Sequence, residues 1–197
     1  MPLRHCSHWI FDMDGTLTLP VHDFDKIKTQ LGIEEKVPIL EAILEMPEEQ
    51  AAVTKRKLHE IEMELAFDAV AQPGALELLN KLQAQGAQLG ILTRNDEDIA
   101  HATLKACGLS DCFEARYVIG REICAPKPAP DGVLHLLNMW NAKPQHSVMV
   151  GDFLYDIEAG RRAGVHTVHF DHTDTFAWPE MTDHKVNTLA DIAALFT

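Results

Sequence analysis

The chain has 197 residues, 46% of them hydrophobic and 24% charged, and a net charge of -13. That length suits one domain with a sizeable core and room for an insertion. The acidic balance argues against nonspecific binding to nucleic acid or to an anionic membrane, since both require a basic face, but it leaves room for a local pocket that takes a small anion. No stretch approaches the ~18 consecutive apolar residues of a membrane span. The leading MPLRHCSHWIFDMD lacks the apolar core of a signal peptide because Asp12 interrupts it, so a cytoplasmic protein is expected. Cys6, Cys107, Cys112 and Cys124 form no C-x-x-C pair and read as reduced thiols.

The first apolar run, His8–Asp12, is followed at once by Asp14 and Gly15 in the stretch WIFDMDGTLT. In an extended segment residues i and i+2 face the same side, so Asp12 and Asp14 share one small volume. Like charges that close require a cation between them or a proton on one. Next comes a gap of more than seventy residues before another strand-like run, far more than the dozen or so of a simple crossover. Its filling is helical. Asp23 caps a segment with Phe24, Ile27 and Leu31 that Gly32 closes. Pro38 opens a second, with Leu40, Ile43 and Leu44, and Pro47 opens a long third through Leu58, Ile61 and Leu65. Residues 20–71 therefore read as an all-helical insertion, with 1–19 and 72–197 as the core.

The remainder alternates. Ala75–Gln85 is a helix bounded by Pro73-Gly74 and Gly86, and Gln88–Thr93 (QLGILT) is the second strand. Asn95 is the expected N-cap of a helix whose first turn holds Asp96, Glu97 and Asp98 and which Gly108 ends. Arg116–Gly120 is a weaker third strand, and Pro130 leads into a helix with Val133, Leu134 and Leu137. Ser147–Gly151 and Val165–Phe170 are the fourth and fifth strands, separated by a helix over Asp156–Ala163, and Leu189–Phe196 is a terminal helix. Such alternation predicts an α/β fold with a mostly parallel, five-stranded sheet covered on both faces.

Ligands of open parallel sheets bind beyond the carboxyl ends of the strands, so the residues following each run matter most. They are Asp12 and Asp14, then Thr93-Arg94-Asn95 at a helix start, then Lys127, then Asp152 and, one turn on, Asp156. A hydroxyl with free amides at a helix start binds phosphate, and a lysine adds positive charge to the same anion. Asp12 and Asp152 are hard oxygen ligands suited to Mg²⁺, which commonly binds through one or two carboxylates and a substrate phosphate. Asp12 is then the candidate nucleophile toward phosphorus, and Asp14 the candidate proton carrier.

Four motifs in order (FDMDGTLT, ILTRN, the lysine of PKPAPD, and GDFLYDIEAG) resemble those of the haloacid dehalogenase superfamily, in its phosphatase branch with a helical cap inserted after the first strand. The resemblance covers residues 8–171. It implies a Rossmann-like three-layer core, a flap near Gly15–Val21, and a cap that closes over the site. It further implies that Asp12 is the nucleophile and Asp14 the acid/base, whose backbone carbonyl also reaches Mg²⁺. Thr93, with the amides of Arg94 and Asn95, would hold phosphate, Lys127 would bridge phosphate and nucleophile, Asp152 would complete the metal site, and Asp156 would orient Lys127 or a metal-bound water. The expected activity is hydrolysis of a small phosphorylated metabolite, in the style of phosphoglycolate phosphatases. The carboxylate at Asp14 disfavours dehalogenation, whose leaving group needs no proton. The alternatives are a phosphomutase and a catalytically silent relative that serves as a binding or regulatory subunit; no motif residue is lost.

Other patterns carry ordinary explanations. His166 and His169 fall on opposite faces of a strand, so with His172 they do not read as a metal cluster. Lys55-Arg56-Lys57 reads as a solvated helix face. The cap lysines, among them Lys26, Lys28 and Lys36, read as solvated amines rather than Schiff-base formers. Arg94 reads equally as an anion contact and as a salt bridge to nearby acids.

Overall fold

A computed structural model describes residues 3–34 and 36–196. Its sheet has six strands: β1 (His8–Phe11), β2 (Gln88–Leu92), β3 (Val118–Ile119), β4 (Ser147–Gly151), β5 (His166–Phe170) and β6 (His184–Val186). Their order is β3-β2-β1-β4-β5-β6, and every pairing is parallel. The sheet is thus one strand larger than the sequence suggests. Strand β6 escapes notice because it is three residues long, with Lys185 exposed and only Val186 buried, which leaves no apolar run to read.

Trp9, Ile10 and Phe11 have no exposed surface, as expected of a central parallel strand covered on both faces. Alternation along β1 divides them. Trp9 and Phe11 join a cluster with α4 (Ala75–Ala84), α5 (Glu97–Ala106) and α8 (Leu189–Phe196). Ile10 faces the other way, into a cluster with α6 (Asp131–Trp140) and α7 (Leu154–Ala163). These are the two outer layers of a Rossmann-like sandwich, and burying each such side chain stabilises it by ~1.5–3 kcal/mol.

Two local devices bring chain ends over the sheet. Gly151 closes β4 where an added Cβ would lie 2.2 Å from the Cβ of Asp156, so only glycine lets the first turn of α7 fold back over the strand end. Gly15, at φ +86°, turns the chain away from β1, and a Cβ there would lie 2.4 Å from Asp152 Oδ2. The chain leaves and re-enters beside itself. The Leu19 amide donates to Val70, and the Gln72 amide donates to Leu17.

Between those crossings lie α1 (Phe24–Leu31), α2 (Ile39–Leu44) and α3 (Glu48–Phe67). Asp23 caps α1 as expected, accepting from the Lys26 amide at 3.0 Å. The three helices enclose a cluster of their own around Ile27, Ile33, Ile43 and Leu58, with no side chain of the sheet in it. No helix among the described residues is long and apolar enough to cross a membrane, and all four cysteines are free.

A separate cluster implies separate cooperativity. Leu58→Ala should cost ~2–5 kcal/mol through lost burial and a cavity. Hydrogen exchange should then quicken across residues 24–67 while β1 and β4 stay protected. Uniform acceleration through the sheet would show instead that the helices and the core unfold as one unit.

Candidate active site

The strand order reverses at the junction of β1 and β4, where crossovers leave in opposite directions and a crevice forms at the carboxyl ends. Asp12 follows β1 there and Asp152 follows β4, with the Asp12 amide donating to Val150 at 2.8 Å. A cavity of ≈ 400 Å³ opens above them, walled by the core on one side and by α1–α3 on the other. Asp12, Asp14, Thr93, Arg94, Asn95, Lys127, Asp152 and Asp156, scattered over 145 residues of sequence, all line it.

Lys127 occupies the centre, 2% exposed. Its ammonium lies 2.5 Å from Asp12 Oδ1 and 2.6 Å from Asp156 Oδ1. Burial alone would lower its pKa, but Asp12 and Asp156 outweigh that and hold it above its ordinary value. The Asp156 carboxylate is fully engaged, since Oδ2 accepts the Phe153 amide at 3.1 Å.

Asp14 is placed differently from Asp12. Its Oδ2 accepts a hydrogen bond from Asn95 Nδ2 at 2.7 Å. Burial, reinforced by the Asp12 charge, raises its pKa to about 7. Asp152 is raised to about 8, by burial and then by Asp12 and Asp156. Asp156 is raised to about 6, chiefly by burial. Crowded carboxylates with raised affinity for protons are sites where a cation is favourable. Carboxylate oxygens of Asp12, Asp152 and Asp156 all lie within 4.8 Å of one another. With Asp156 committed to Lys127 and Phe153, Asp12 and Asp152 are the available donors. Their hard oxygen set fits a small divalent cation.

Thr93 is buried, and its Oγ1 accepts the Asn95 amide at 3.1 Å. Asn95 is not the N-cap of α5. That position belongs to Asp96, whose side chain caps nothing because Arg121 (2.6 and 2.8 Å) and His59 (3.2 Å) hold its carboxylate. Arg94 turns toward α2, with both Glu41 oxygens at 2.8 Å, the Lys127 carbonyl at 2.6 Å and the Tyr155 ring beneath it. Arg94 thus makes a salt bridge to a nearby acid while also lining the cavity.

Several contributors were invisible in the sequence reading. Arg121 directly follows Gly120 beyond β3, and its position after a strand end was the available signal. It is 13% exposed and also binds Glu62 at 2.9 Å. Glu62 occupies the buried stripe of α3 with Thr54, Leu58 and Ala66, and an acid on such a stripe marks a buried partner. His22 also lines the cavity. The histidine triplet stays dispersed. His169 Nε2 lies 3.2 Å from the Asp152 carbonyl, His166 is near Asp183, and His172 is exposed. Lys55, Arg56 and Lys57 are exposed on α3.

Comparison with known proteins agrees with this geometry. The haloacid dehalogenase-like hydrolase profile matches residues 9–170. An uncharacterized hydrolase of Saccharomyces cerevisiae is 31% identical over 98% of this chain and 92% of its own length. A phosphoglycolate phosphatase of Aquifex aeolicus is 29% identical over 80% of this chain and 81% of its own. The crystal structure of a Pseudomonas syringae hydrolase superposes with a TM-score of 0.77 at 23% identity, covering 95% of this chain and 96% of that one. The chain belongs to the haloacid dehalogenase-like hydrolases, in their phosphatase branch.

Proposed function

We propose that the chain is a Mg²⁺-dependent phosphatase of small phosphorylated metabolites that works through an aspartyl-phosphate intermediate. The observation that carries this reading is the unequal treatment of two neighbouring aspartates. Asp12 faces the buried Lys127 ammonium, whereas Asp14 faces Asn95 in surroundings that favour its protonated form. A carboxylate set against a buried ammonium, beside a second whose pKa burial raises, marks a nucleophile and a proton carrier.

On this reading Asp12 Oδ attacks phosphorus in line with the ester oxygen, forming the acyl phosphate as the P–O ester bond breaks. Asp14 gives its proton to the departing alcohol. The Asp14 carboxylate then takes a proton from water, whose oxygen attacks phosphorus and releases phosphate and free Asp12. Thr93 and the neighbouring amides hold the phosphoryl oxygens, and Lys127 offsets their charge. Asp156 positions Lys127. Asp12 and Asp152, with the Asp14 carbonyl, would hold Mg²⁺, which neutralises charge on the phosphoryl group. The helices α1–α3 act as a cap. 2-Phosphoglycolate is a reasonable first substrate, given a relative that bears its name, and a cavity of ≈ 400 Å³ suits a molecule of that class or somewhat larger.

Three measurements bear on this. Asp12→Asn should lower hydrolysis of p-nitrophenyl phosphate by ~10³-fold or more while the thermal transition persists; hydrolysis at the parent rate would remove the covalent mechanism. Asp14→Asn should release about one equivalent of p-nitrophenol per enzyme and then stall, because an aryl leaving group needs little protonation whereas water still needs a base. Linear turnover without a burst would separate Asp14 from that second step. Exhaustive EDTA treatment should abolish activity and Mg²⁺ should restore it. Full activity after chelation would sink the metal requirement.

A further inference from the structure

His22 sits in the linker between the turn after β1 and the start of α1. Its side chain is 7% exposed, and neither Nδ1 nor Nε2 has a hydrogen-bond partner. The nearest candidate falls short: Nδ1 is 3.7 Å from Asp14 Oδ1, beyond hydrogen-bonding range. Phe24 stacks on one face at 5.6 Å and 15°. The charges of Glu62 and Asp12 act on the ring from α3 and from the end of β1 without bonding to it. A buried polar group left unpaired costs ~1–3 kcal/mol, which is a reason to expect a partner absent from the free protein.

The location indicates the partner. His22 lines the cavity beside Asp14, and on the phosphatase reading Asp14 hands its proton to the leaving alcohol, so whatever borders Asp14 also borders that alcohol. We infer that His22 recognises the leaving group, its ring N–H donating to a hydroxyl or carboxylate oxygen carried next to the ester carbon, so that phosphomonoesters bearing such an oxygen are preferred. This rests on the function proposed above. The side-chain torsion that swings an imidazole edge is soft, and a small turn carries a ring nitrogen from its dry resting place into the cavity. A neutral imidazole offers one donor and one acceptor, which a hydroxyl can satisfy together and a carboxylate can meet through the donor. Lys28 and Lys36 from the side of α1 and α2, and Arg94 from the core, favour a leaving group that is polar or negative.

The test compares kcat/KM for four phosphates: 2-phosphoglycolate and glycerol 1-phosphate, which carry that oxygen, and ethyl phosphate and p-nitrophenyl phosphate, which do not. The parent enzyme should favour either of the first two over ethyl phosphate by about tenfold or more, the factor that about one net hydrogen bond carries. His22→Phe keeps the ring against Phe24 and should bring that ratio to about one, and His22→Asn should regain part of it. Because His22→Phe removes two unpaired buried nitrogens, its melting temperature should match or exceed the parent's, which loss of a merely structural histidine would not produce. A preference that survives His22→Phe, a uniform fall across all four substrates with a lower melting temperature, or no preference in the parent despite turnover of p-nitrophenyl phosphate would each overturn the role of His22 and leave the phosphatase reading standing. Turnover of none of the four by the parent would overturn both.

Discussion

The site is organised by one buried ammonium. Lys127 has almost no exposure, and its desolvation is tolerable only because Asp12 and Asp156 stand 2.5 and 2.6 Å away. Those acids in turn fix what surrounds them. Asp156 reaches back across Gly151, which must lack a Cβ, and its second oxygen secures the start of α7. Asp12 is left with one oxygen beside Lys127 and the other toward the crevice. Asp12, Asp152 and Asp156 crowd this one ammonium with carboxylate oxygens, an excess of acid that a divalent cation would relieve. The same constraint explains why Asp14 and Asp12 differ so sharply across a single intervening residue: only one of them reaches the lysine.

The seam between α1–α3 and the sheet has a different character. Their apolar clusters are separate, and the side-chain contacts named across the seam are polar: Arg121 with Glu62, His59 with Asp96 and Asp98, and Arg94 with Glu41. Ion pairs at partly buried positions contribute little net stability but define one arrangement in preference to others. A seam of that kind exchanges its partners for water at modest cost. Arg94 is central to it, because one guanidinium grips Glu41 on α2 and the carbonyl of Lys127. Helix α2 is thereby joined through Arg94 to the residue that organises the site.

Much of this was legible in the sequence because the parallel sheet is a strong constraint. Once apolar runs were recognised as strands, the polar residues at their ends had to converge, and Asp12, Thr93, Lys127 and Asp152 do so. Helices α1, α2 and α3 were legible from caps and periodicity. What escaped depended on contacts between elements distant in sequence. Asn95 looks like an N-cap, yet Asp14 claims its amide, and Arg121 and His59 occupy the carboxylate of Asp96, the true cap residue. Glu62 reads as one more helix acid until Arg121 is placed opposite it. Strand β6 is held by pairing with β5 rather than by its own composition. Local pattern specified the elements, and tertiary partners decided the roles of individual polar side chains.

The overall charge bears on which anions can enter. A chain of net charge -13 repels large polyanions over their whole length. A small phosphate feels that field less, because surface charges beyond a Debye length of ~8 Å are screened at physiological salt. Within that distance of the cavity the cationic groups Lys28, Lys36, Arg94, Arg121 and Lys127 face it from both walls, interleaved with the acids that hold them. The lining is therefore of mixed sign, and it opposes a small anion that fits wholly inside less than the acidic exterior opposes one that must leave most of its charge outside. Size and charge thus act together as a filter before any specific hydrogen bond is made, and they confine the finer discrimination to the few groups, His22 among them, that meet the leaving end of a molecule already inside.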